Sequence, residues 1–88
     1  MKTFPEFFAY YTGKSDNPYL LAHCNQMIAD GRTSQDDVLI EIEKFLQLKQ
    51  SEDIVVKGLG WSCSDILRYC LEDWPRYQQK GENFFAGP

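Results

Sequence analysis

The chain has 88 residues, of which 43% are hydrophobic, 15% aromatic and 25% charged, and its formal net charge is −4. That length gives one small domain with a modest core, and the apolar content is enough to offset the entropy of ordering, so disorder is excluded. An apolar run of about twenty residues is missing, which excludes a membrane span, and the acidic balance argues against direct contact with nucleic acid or anionic lipid.

Thr3 followed by Glu6 makes a capping box, and Pro5 suits a first turn, so the pattern predicts a helix that runs to Gly13. Phe4, Phe7, Phe8 and Tyr11 share one face of it. Lys14 to Asn17 reads as a turn. Asn17 caps and Pro18 opens a second helix that reaches Gly31, with Leu20, Leu21, Cys24, Met27 and Ile28 as its apolar stripe and Tyr19 and His23 on one flank.

Thr33 or Ser34 starts a third helix that extends to Gln50. Asp36 and Asp37 fall in its first turn, where the helix dipole favours anions. At about 100° per residue, Val38, Leu39, Ile42, Phe45 and Leu46 form a core-facing stripe flanked by carboxylates. Ile40 points nearly opposite, among Asp36, Asp37, Glu43 and Lys44.

Residues 51–60 admit two readings. Ser51, Glu52 and Asp53 can cap a short helix through Lys57, while Ile54-Val55-Val56 ending at Gly58 is a strand signal. Ser62 or Ser64 opens the next helix, whose stripe is Cys63, Ile66, Leu67, Cys70, Leu71 and Trp74, with Arg68 and Glu72 paired on the outer face. Pro75 ends or kinks it, and a short turn continues to Lys80. The expected architecture is all-α, a small bundle of four main helices with a short fifth element. The alternative is an α+β fold with a two-stranded hairpin from residues 38–58. Residues 1–88 are read as a single domain, with 81–88 a flexible tail carrying Phe84 and Phe85.

The chemistry-bearing residues are sparse. Three cysteines, Cys24, Cys63 and Cys70, are an odd number at irregular spacing, which is not a disulfide framework and suits a reducing, cytoplasmic compartment. Cys63 and Cys70 lie two helical turns apart, which is packing spacing rather than zinc-ligand spacing, so no metal and no cofactor is expected. The single histidine, His23, points about 100° away from the adjacent Cys24, too far round the helix for a nucleophile–base pair. Lys57, Gly58, Gly60, Ser62 and Ser64 precede an expected helix start and form a candidate anion site. A plain interhelical connector is the competing reading.

The acids supply the clearest functional signal. Residues 36–53 hold six acids and two bases and so carry the whole net charge, while the rest of the chain balances. An acidic helix on a neutral body is expected to face something basic. The expectation is a non-enzymatic module that binds a protein partner and regulates, inhibits or assembles it, through Asp36, Asp37, Ile40, Glu41, Glu43 and Lys44. One alternative is a phage- or plasmid-borne antagonist, an inhibitor or immunity-type protein that blocks a basic nucleic-acid-binding cleft. Another is a small anion- or phosphate-binding module built on residues 57–64.

Overall fold

The computed structural model describes residues 1–86. It is all-α and contains no strand among those residues. Four helices follow in order: α1 (Phe4–Thr12), α2 (Pro18–Ala29), α3 (Gln35–Leu48) and α4 (Ile54–Lys80), the last running directly into a 3₁₀ turn, Gly81–Phe85. The α+β alternative is therefore overturned: residues 38–48 and 54–58 are helical, and both segments have side-chain caps that start them as helices.

Each helix opens on the residue that can satisfy its free N–H groups. Thr3 and Glu6 form the reciprocal capping box of α1. Asn17 accepts from the N–H groups of Tyr19 and Leu20 at the head of α2, with Pro18 in the first turn. Ser34 and Asp37 cap α3 reciprocally. Asp53 Oδ1 accepts from Val55 and Val56 at 2.9 and 3.2 Å and so starts α4. At the far end of α2, Gly31 adopts φ +69°, which turns the chain sharply toward α3 at no Cβ cost.

The expected break before Ser62 does not exist. α4 begins at Ile54, capped by Asp53, passes through Gly58 and Gly60 without interruption, and spans 27 residues. Pro75 does not end it either, because Pro75 is exposed and its missing N–H removes a bond from the solvent side of the helix rather than from the core. α3 and α4 fold back on one another through residues 49–53 and share most of the interhelical contact.

The core is one cluster to which all four helices contribute. Its densest part is aromatic. Phe7 is fully buried, with the rings of Trp74 and Tyr77 at centroid distances of 5.2 and 5.0 Å and those of Phe84 and Phe85 at 6.0 and 5.9 Å. Burying one such side chain contributes about 2–3 kcal/mol. The 3₁₀ turn supplies two rings of this cage, so Phe84 and Phe85, expected in a tail, pack against the core; residues 87 and 88 lie outside the described residues.

Three positions depart from the expected stripes. Leu39, expected inside, is 51% exposed, and Glu41, expected at the surface, is 2% exposed. The buried side of α3 is centred on Val38, Glu41, Ile42 and Phe45, rotated toward α2 by the contact described next. Ile28, placed in the α2 stripe, is also exposed.

Candidate functional site

Helix α3 presents its outer face between two engaged edges. On the α2 side, Glu41 is held by the His23 imidazole and by two cations, Arg32 and Lys44. His23 Nε2 lies 2.7 Å from Oε1, Arg32 Nη1 3.7 Å from the same oxygen, and Lys44 Nζ 3.1 Å from Oε2, without the angle of a hydrogen bond. Burial pushes the Glu41 carboxyl up, but the Lys44 and His23 contacts outweigh it and leave its pKa below the ordinary glutamate value. The carboxylate therefore stays ionised inside the protein and ties α3 to α2. The His23 ring also meets Phe45 edge-on at 4.9 Å.

This arrangement removes Glu41 from the expected contact surface and alters the role of Lys44. Lys44 is exposed along its stem, yet its ammonium turns back to the buried carboxylate. Asp37 is half-buried and serves the capping box. Its Oδ2 accepts from the Ser34 hydroxyl at 2.8 Å and from the Ser34 N–H at 3.2 Å, and these bonds lower its pKa. The outer face proper is then Asp36, Leu39, Ile40, Glu43 and Gln47, all exposed.

Ile40 is 52% exposed and sits where the sequence placed it. It lines a shallow depression of about 510 Å³ together with Glu43, Lys44, Gln47 and Leu48. Neither Asp36 nor Glu43 forms an ion pair among the described residues. An apolar anchor thus lies among free carboxylates, while the nearest lysine is neutralised from below.

Sequence reasoning missed three further exposed side chains: Leu39, and Ile54 and Val55 at the head of α4, which are 83% and 71% exposed. The β-branched run 54–56 carried a signal, but it was weighed only as a choice between a short helix and a strand, not as an exposed apolar helix start. Nothing in the local sequence marked Glu41, since its partners His23 and Arg32 come from α2 and the turn after it.

The candidate anion residues do not converge. Lys57, Gly58, Gly60, Ser62 and Ser64 lie inside α4, and at about 100° per residue they spread around its circumference. Ser64 Oγ donates to the Trp61 carbonyl at 3.2 Å, and Ser62 Oγ accepts from Asn17 Nδ2 at 3.1 Å. The free N–H groups that could attract an anion are at residues 55 and 56, where the Asp53 carboxylate already occupies them.

The thiols are buried and unbridged. Burial pushes Cys24 up to about 11 and Cys70 up to about 12, and it raises Cys63 against the opposing Asn17 contact. None is a thiolate at neutral pH, so none is a ready nucleophile. Among the described residues no group of three or more His, Cys, Asp or Glu side chains is placed to hold a metal ion, and no helix is long and apolar enough to cross a membrane. No protein-family model, no curated protein and no solved structure matches the chain.

Proposed function

We propose that the protein is a non-enzymatic helical module that docks the outer face of α3 on a basic surface of a protein partner, and so regulates, inhibits or assembles that partner. The observation that carries this reading is Ile40, half-exposed between the unpaired carboxylates of Asp36 and Glu43. Folding has no use for an isoleucine at that position, whereas an interface uses such a residue as an anchor with a charged rim. The Glu41–Lys44 contact favours the same reading, because it draws the lysine's charge inward and leaves the face acidic.

The antagonist version is the form this takes when the partner handles nucleic acid, with Asp36 and Glu43 standing in for phosphates in a basic groove. The test is affinity capture with the native protein and two variants as bait. A partner bound through this face is lost with Ile40→Asp and binds with a weaker salt dependence to Asp36→Lys/Glu43→Lys. Retention of the partner by both variants sinks the proposal. Competition between the captured partner's nucleic acid and this protein separates the antagonist from a regulator of another kind.

A further inference from the structure

On another part of the surface, the α1–α2 connector, the middle of α4 and the 3₁₀ turn border an open groove of about 460 Å³. That volume falls within the range of small-molecule sites. Tyr11, Ile66, Tyr69 and Phe85 form its walls, and Lys14 and Asp16 stand on its connector side. Tyr69 is 47% exposed, with the Arg68 guanidinium 5.5 Å from its ring centroid. Lys14 Nζ lies over the rings of Tyr10 and Phe85, 4.6 and 5.2 Å from their centroids, which holds an ammonium at the aromatic wall.

Neither Lys14 nor Asp16 forms an ion pair among the described residues. The other carboxylate near the groove, Asp73, is already engaged by the Tyr11 hydroxyl at 2.7 Å and by Arg76 at 3.0 Å, so it does not quench Lys14. One unpaired cation and one unpaired anion, two residues apart on the border of an aromatic trough, complement a ligand with both charges close together on an apolar body. A phosphate ester would meet Asp16 as a like charge, and a hydrocarbon would leave both rim charges unused.

We infer that this groove binds a free apolar α-amino acid, best an aromatic one, with its ring against Tyr69 and Phe85, its carboxylate toward Lys14 and its ammonium toward Asp16. The affinity of so open a site for so small a ligand is roughly millimolar.

The experiment is an amide chemical-shift titration of the full chain with L-phenylalanine. Two single-charge analogues are titrated alongside it: phenylpropionate, which lacks the ammonium, and phenethylamine, which lacks the carboxylate. Saturable shifts are expected at Ser15, Ile66 and Tyr69, with each analogue weaker by about three- to fivefold. Lys14→Ala should abolish the advantage of phenylalanine over phenethylamine, and Asp16→Asn its advantage over phenylpropionate. Both side chains are exposed, and an unchanged helical spectrum checks that the variants fold. Ile40→Asp should leave the titration as it was, which keeps this groove separate from the α3 face. The inference is overturned by the absence of saturable shifts with phenylalanine, by shifts confined to another part of the surface, or by equal binding of all three ligands that neither rim variant changes.

Discussion

Gly60 lets α4 meet α3 backbone to backbone: a Cβ at that position would stand 2.7 Å from the carbonyl oxygen of Phe45 and 2.8 Å from the Lys49 nitrogen. Backbone atoms cannot swing aside as a side-chain end can, so the helices would have to separate. Gly60→Ala is expected to destabilise the protein by about 1–3 kcal/mol through overpacking. Gly58 is two residues away in the same helix and has nothing within 4 Å of its would-be Cβ. Gly58→Ala should stabilise by roughly 0.5–1 kcal/mol through helix propensity. Chemical denaturation of the two variants checks both signs, and a shared sign would contradict the helix crossing described.

A second contrast separates contact surface from core on α3. Ile42 is buried and Ile40 is not. Ile42→Ala should cost about 2–4 kcal/mol, as large-to-small core changes do. Ile40→Ala should stay within about 0.5 kcal/mol of the native protein. Equal losses at the two positions in a melting experiment would place Ile40 in the core and remove the proposed anchor.

Glu41 sets an acid limit on the α2–α3 contact. Its folded pKa lies below its unfolded value, so its contribution is complete above about pH 4.3, the ordinary glutamate value, and is lost as pH falls through the lowered folded value. Glu41→Gln should cost about 1–3 kcal/mol at neutral pH, because a carboxylate bound to an imidazole and two cations becomes a neutral amide. The same variant should flatten the fall of stability between about pH 5 and 3 relative to the native protein. Urea midpoints across that range measure it, and an unchanged slope would mean that Glu41 titrates alike in the folded and unfolded chain.

The three thiols should react only when the protein opens. Cys24, Cys63 and Cys70 are each at most 1% exposed, and their pKa values are raised. Labelling by an aromatic disulfide reagent at neutral pH should therefore be slow and should accelerate in step with denaturant-induced unfolding. Rapid labelling of any one thiol in native buffer would show a site more open than the packed core described.

What the sequence made legible was local. Thr3, Asn17, Ser34 and Asp53 marked helix starts because a cap needs only a short polar side chain and the next three N–H groups. The aromatic face of α1 was equally plain from its spacing. Gly60 was misread because its reason is the Phe45 backbone across the helix pair, a contact that no window of local sequence contains. Glu41 was placed outside because a carboxylate is normally solvated. Its burial depends on His23 and Arg32, which only the fold brings near. Of the expected contact surface, Asp36, Ile40 and Glu43 remain together on the outer face, Asp37 serves the cap, and Glu41 and Lys44 form the clamp beneath it.

The aromatic cage also joins segments that are far apart in sequence. Phe7 lies in α1, and four of the rings around it come from residues 74–85. Nine residues are too few for a helix to persist in water on its own, so α1 depends on its packing against α2 and α4. A change that loosens the 3₁₀ turn therefore acts at a distance: it uncovers Phe7 and weakens the hold on α1, although the two segments are separated by most of the described chain.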